Sequence, residues 1–413
     1  MKRFYCCFLL AFATIPCLLM AQNVGIGTNS PLSRLHVEQG NVLFIGPSVL
    51  PAVPAPLLVS STGARLMWYP DKAAFRVGYV SFNSWDSSLI GRFSFAAGKD
   101  VTAQGSGSVA LGSGSNAAGL VSIAIGSNCI ALDSSIALGK SAQSFGTKAV
   151  AIGNNAYSGS TNGFAIGNSA AVPSSGIYAF AIGNTVTASG AYSTAIGNNS
   201  GASGDHSIAM GYFVSAGGAN SLSLGSYVST NGYTGAFALG DASTTTVMNS
   251  FVANGFRSRF AGGYRLFTNS AANVGAFLNA NANSWAALSD VRIKENFLPV
   301  NGESFLQKIA AMPQYTWNYI GQDVGTLRHY GPMAQDFYKA FGRDDLGEIG
   351  CDTLINQQDF LGVNLIAIQA LEKRTEKIND LEKRLDKLQK ENTLMRAQMS
   401  EVLELIKAKG GCR

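Results

Sequence analysis

A parallel β-roll, followed by a small α+β module and a C-terminal coiled coil, is the mainly β fold class that three features of this 413-residue sequence predict. A phrase of one small residue, one larger aliphatic residue and a glycine recurs ten times between Ala110 and Gly240. At Ser289 the Gly/Ser-rich composition gives way to ordinary charge density, and from Leu371 a heptad seam begins. A fixed short period is the signature of a solenoid, whose units are stable only because neighbours cover them.

The repeat glycines are Gly112, Gly126, Gly139, Gly153, Gly167, Gly183, Gly197, Gly211, Gly225 and Gly240, spaced 14, 13, 14, 14, 16, 14, 14, 14 and 15 residues apart. Three residues before each glycine stands Val109, Ile123, Ile136, Val150, Phe164, Phe180, Thr194, Ile208, Leu222 or Phe237. Side chains in a strand alternate between faces, so this residue shares one face with the aliphatic residue next to glycine. The Ala and the Gly share the other. Helical apolar spacing is absent, and the Gly, Ser and Asn between units suit tight turns. Ten stacked rungs would rise roughly 43 Å. The expectation is that the bulky faces hide together inside, and that copies of the chain approach one another at the bare Ala/Gly face or its adjoining edge, since Gly otherwise weakens a strand.

Only 13% of the residues are charged, the formal charge is +5, and no basic cluster lies on the repeats, so nucleic acid is not an expected partner. Lys2 and Arg3, the apolar run 8–20 and Ala21 read as a secretory signal peptide cut after Ala21. Cleavage there would leave Cys129, Cys351 and Cys412, without CxxC spacing or a His pair, so neither a zinc site nor a disulfide framework is indicated. His36, His206 and His329 are scattered, and neither metal nor cofactor is expected. Val24-Gly25-Ile26-Gly27-Thr28, Pro31 and Leu35-His36-Val37 resemble an N-terminal motif of secreted, tail-fibre-like bacterial proteins.

The repeat units, with a degenerate first one at Phe95-Ala96-Ala97-Gly98, resemble the head repeats of trimeric autotransporter adhesins. The resemblance covers about 93–241 and implies a left-handed parallel β-roll shared by three chains. The chain departs from those adhesins by ending in a charged helix rather than in amphipathic strands able to build a membrane barrel.

Leu288-Ser289-Asp290-Val291-Arg292-Ile293-Lys294 opens a segment that resembles the intramolecular chaperone, or S74 peptidase, domain of phage tail spikes such as endosialidases. The matching elements continue with a Leu306–Trp317-Tyr319 strand region, with Arg328-His329-Tyr330-Gly331-Pro332-Met333-Ala334-Gln335-Asp336, and with a helix entered at Val363–Leu371. The resemblance implies a trimerisation chaperone that cuts its own chain at Leu288–Ser289, with Ser289 as nucleophile and Lys294 as its base. Asp290 and Arg292 would shape the turn. An ammonium cannot accept the hydroxyl proton, so Lys294 is expected in a low-dielectric pocket that favours the neutral amine.

The helical seam places Leu371, Ile378, Leu385, Asn392, Met399 and Ile406 at a, with Arg374, Leu381, Leu388, Met395 and Val402 at d. Asn392 would fix register. The expected organisation is a signal peptide 1–21, a β-rich region 22–92, β-roll repeats 93–241, a β-rich connector 242–288, a chaperone domain 289–370 and a coiled coil 371–408. The expected function is a secreted or surface-displayed homotrimeric fibre on the outer side of a bacterial envelope, with no transmembrane segment after maturation and a glycan or protein receptor as its possible partner. The alternatives are a purely structural shaft with an uncleaved trimerisation domain, or a polysaccharide-degrading enzyme. The latter needs paired carboxylates, and the repeats offer only Asp133, Asp205 and Asp241.

Overall fold

The computed structural model describes residues 23–57 and 61–410; the signal segment expected at 1–21 and Cys412 lie outside them. The chain divides into two compact units after Ala261, inside the stretch expected as a connector.

The first unit opens with a short parallel pair, β1 (Val24–Ile26) and β2 (Leu35–Val37). A hairpin of β3 (Gly63–Tyr69) and β4 (Ala74–Val80) then starts a 23-stranded sheet. The remaining strands, β5 (Phe95–Lys99) to β25 (Phe256–Arg259), wind as a parallel solenoid. The ladder thus reaches beyond 93–241 at both ends. Each turn carries a strand of about five residues and a two-residue strand, and successive turns stack in register. Ala137 pairs with Ala124 and Ala151, and Gly139 with Gly126 and Gly153.

The faces are the reverse of the sequence expectation. Ala110, Ala124, Ala137, Ala151, Ala165, Ala181 and Ala195 are wholly buried, whereas the aliphatic and aromatic columns point outward. Phe180 and Ile182 stay 41% and 36% exposed, and Ile208 and Met210 40% and 41%. The reason is the width of the coil. Across from Ala137 lie the equally buried Ala142, Ser144 and Ala149 of the same turn, and four inward side chains per turn leave room only for small ones at interior packing density. Cys129 occupies one such buried position, its Sγ reaching the carbonyls of Ile125 and Gly139 at 3.3 and 3.2 Å.

Glycine is required by the stacking itself, not by an approaching copy. Gly126 has φ +130°, and a Cβ there would run into the carbonyl oxygen of Gly139 in the next turn. A second corner takes left-handed residues of any kind: Val121, Ser134, Lys148, Asn162, Tyr178, Tyr192 and His206 all have φ between 52° and 58°. There Tyr178 stacks on Tyr192 with 5.2 Å between centroids, and Tyr192 on His206 with 5.1 Å.

The second unit begins with an antiparallel sheet of β26 (Gly263–Phe267), β27 (Gly275–Asn279) and β28 (Ala286–Ala287). Helix α1 (Gly302–Ala311) follows, its first N–H groups capped by Asn301 Oδ1. Leu306 therefore lies in a helix, and the strand expected from Leu306 is confined to β29 (Tyr315–Trp317), paired with β30 (His329–Gly331). Helix α2 (Ala334–Phe341) packs Phe337 and Phe341 against Met312 and Val363 in a small core.

Helix α3 (Gln357–Gly410) runs 54 residues and absorbs both the expected helix entry and the seam. Its anchored part is the N-terminal portion, where Val363, Ala367 and Ala370 are buried and Arg374 Nε donates to Glu303 Oε2 at 3.0 Å. Farther on, Ile378, Leu381, Leu385, Leu388 and Met399 are more than half exposed. An apolar seam on an otherwise charged helix is the pattern of a strand of a coiled coil. Among the described residues no helix is long and apolar enough to cross a membrane.

Candidate active site

Ser289 stands one residue past β28, after Leu288, and a single 3-10 turn, Val291–Ile293, comes next. Asp290 makes that turn: its Oδ1 accepts from the Arg292 N–H at 2.9 Å, and Arg292 Nε donates to both carboxylate oxygens at 3.0 Å. These side-chain bonds first, then the backbone bond, hold the Asp290 carboxyl below its ordinary pKa. The Ile293 N–H returns to the Asp290 carbonyl at 3.2 Å, and the Lys294 N–H to that of Val291 at 3.3 Å. The turn folds the chain back so that Lys294 Nζ meets Ser289 Oγ at 2.8 Å. The two residues singled out from the sequence as nucleophile and base are thus in contact, and Asp290 and Arg292 shape the turn between them.

The residues before Ser289 are held as well. Ala287 pairs with Ala276 and Ala286 with Phe277, so β28 lies as a third strand on β27 and delivers Leu288 at its end. Leu288, Ser289 and Lys294 share a cavity of about 640 Å³ with Leu266, Val274 and Ala276 on one side and Asn356 and Gln358 on another. One expectation is corrected. Ser289 and Lys294 are both exposed in the single chain, because the 3-10 turn lies at the surface and no second layer among the described residues covers it.

The three carboxylates of the repeat region do not form a pair. Asp133 Oδ1 accepts from the Leu120 N–H at 3.3 Å and Asp205 Oδ1 from the Ala191 N–H at 2.9 Å. Asp241 accepts from the Ala261 N–H at 2.6 Å and the Ser243 hydroxyl at 2.7 Å. Each binds a turn of the solenoid. Among the described residues no group of His, Cys, Asp and Glu is placed to hold a metal. Sequence reasoning missed Asn356; its signal was an Asn just before the apolar run of α3, where a cap belongs.

Residues 289–345 match the family model described as chaperone of endosialidase (Peptidase_S74). Segments 103–128, 133–156, 146–170, 174–200, 188–213 and 202–227 match the YadA head domain repeat. The chain thus carries segments similar to YadA head repeats and, after them, a segment similar to the chaperone of endosialidase. The YadA head match covers the regular middle of the solenoid, and its outer turns fall outside. The chaperone match begins at Ser289 itself and ends before α3. YadA head domains are trimeric, which bears on the outward apolar columns. No curated protein matches the chain.

Proposed function

We propose that this chain forms a secreted or surface-displayed homotrimeric, adhesin-like fibre, assembled by its C-terminal chaperone segment, which then removes itself at Leu288–Ser289. The outward columns of the repeats are the surface for assembly. About twenty partly exposed, mostly apolar side chains, each contributing about 0.5 kcal/mol on further burial, give on the order of 10 kcal/mol per chain before the costs of association. Parallel pairing between distant segments is slow. A C-terminal helix seam that gathers three chains raises their effective concentration and starts the rungs in register.

The cut follows from the contact between Lys294 and Ser289, the observation that carries this reading. A neutral Lys294 amine takes the Ser289 hydroxyl proton while Oγ attacks the Leu288 carbonyl carbon. The C–N bond breaks as the proton passes to the departing Ser289 nitrogen, leaving Leu288 esterified to Oγ. Water then hydrolyses the ester, giving a Leu288 carboxylate and a Ser289 with a free α-amine. The exposure of Lys294 in one chain means that neighbouring chains must supply the dry surroundings, which ties cutting to assembly.

Intact mass and N-terminal sequencing of the expressed full chain test this, beside Ser289→Ala and Lys294→Ala. A fragment beginning Ser-Asp-Val-Arg-Ile-Lys in the wild type alone is the expected result. Full-length protein in all three overturns the cut and leaves the second reading, a shaft with a retained trimerisation domain, which the exposure of Lys294 favours. Glycan and matrix-protein arrays, with and without residues 98–241, separate an adhesin from a shaft that binds nothing.

A further inference from the structure

Resting on that reading, we infer that the Asn356 carboxamide is the oxyanion donor of the self-cleavage, hydrogen-bonding the Leu288 carbonyl oxygen as it becomes tetrahedral. Attack on a carbonyl places negative charge on its oxygen, and a fixed N–H donor aimed at that oxygen accelerates the step. The cavity that holds Leu288, Ser289 and Lys294 has four other polar side chains on its walls: Thr268, Asn273, Asn356 and Gln358. They differ in what is left to give. The Thr268 hydroxyl is directed at the Val274 carbonyl. Asn273 sits in the β26–β27 turn, bonded to Asn269, and belongs to the upstream product. The Gln358 side chain makes no hydrogen bond among the described residues and has three rotatable angles to fix.

Asn356 is the fixed one. Its Oδ1 accepts from the Gln358 N–H at 2.8 Å and its carbonyl from the Phe360 N–H at 3.0 Å, so it caps the start of α3. Capping consumes the acceptor end of the amide and leaves the Nδ2 hydrogens for another acceptor. It also ties the donor to the downstream fragment that carries Ser289 and Lys294, so the whole apparatus stays on one piece.

The test uses full-length chain made by cell-free translation, with the appearance of the Ser289 fragment timed during a chase at pH 6 to 10. Asp and Thr both cap helices well, so Asn356→Asp and Asn356→Thr keep the structural role and remove the amide donor. Both are expected to slow the cut roughly 10²–10³-fold at every pH. Asn356→Thr cutting at the wild-type rate overturns the inference. So does a slow Asn356→Asp that recovers in alkali beside a normal Asn356→Thr, since the new charge would then be acting on Lys294. Uncut wild type overturns the underlying reading as well; cut wild type with inert Ser289→Ala leaves that reading standing whatever Asn356 does.

Discussion

Arg76 donates through Nη2 to the Ser94 hydroxyl at 2.7 Å, inside the first turn of the solenoid, from a position that pairs with Ala96 in the next strand. Its guanidinium also reaches the carbonyls of Phe75, Ser94 and Ala103 at 2.8, 3.0 and 3.0 Å. Every later turn as far as Ala238 has a small residue at that site, and Arg257 takes it in the last strand, β25. A long cation here closes the open end of a core otherwise lined with methyl groups, and burial lowers its pKa to about 10.

Removing it takes away four hydrogen bonds from a buried cation, each worth about 1.5–3 kcal/mol, while the Ser94 and Ala103 carbonyls keep the Phe75 and Gly91 N–H groups as donors. Arg76→Ala is therefore expected to lose at least about 2 kcal/mol, with hydrogen-exchange protection falling first in β3 to β5 and least in the middle turns. A uniform loss along the whole solenoid would contradict a role at its end.

Asp241 does similar work near the other end. The Ala261 N–H, then the Ser243 hydroxyl, hold its carboxyl down to about 2. A depressed folded pKa means stability that is full above the ordinary value of 3.8 and is lost as pH falls through about 2. Melting curves of wild type and Asp241→Asn should differ at pH 7 and converge near pH 2.

The two sides of one strand should respond in opposite ways. Ile152→Ser changes an outward residue and is expected to weaken association, read by light scattering, with the β signal of the chain retained. Ala151→Leu forces three extra carbons into a filled coil and should cost about 1–3 kcal/mol or more of folding stability. Loss of folding in Ile152→Ser with a tolerant Ala151→Leu would restore the inverted orientation.

Gly153→Ala tests the stacking. The position has φ +132°, and a Cβ would strike the Gly167 carbonyl oxygen. A strained backbone site costs about 1–3 kcal/mol even before the clash, so calorimetry should show a lower Tm than for Ser141→Ala, at a corner whose φ of 53° already carries an L side chain.

Much of the winding could be read from the residues. The glycine period located each turn, and alternation correctly grouped Ile136 with Leu138 and apart from Ala137, whereas Gly139 sits exposed at a corner with φ +126° and does not share the buried face of Ala137. Alternation carries no sign, however. Which group faces inward depends on the gap across the coil, and the clue lay in Ala142, Ser144 and Ala149, all too small to enclose anything but a thin interior. Arg76 was hidden because Phe75-Arg76-Val77 reads as a strand with its charge in water. The helix at Leu306 was signalled by Asn301 and Glu303, a cap and an acidic first turn, and was masked by the aromatic residues that follow. Ser289 and Lys294 were legible because five residues of separation close through one tight turn; the surroundings of Lys294 were not, since no local pattern states what other chains bring.

The corner occupied by Val121, Lys148, Tyr178 and His206 accepts an aliphatic, a cation, a phenol and an imidazole on one unchanged backbone trace. Each of these side chains projects from a coil whose winding is decided elsewhere, by alanine and glycine. Such a surface can drift in charge and chemistry without any cost to the architecture that displays it.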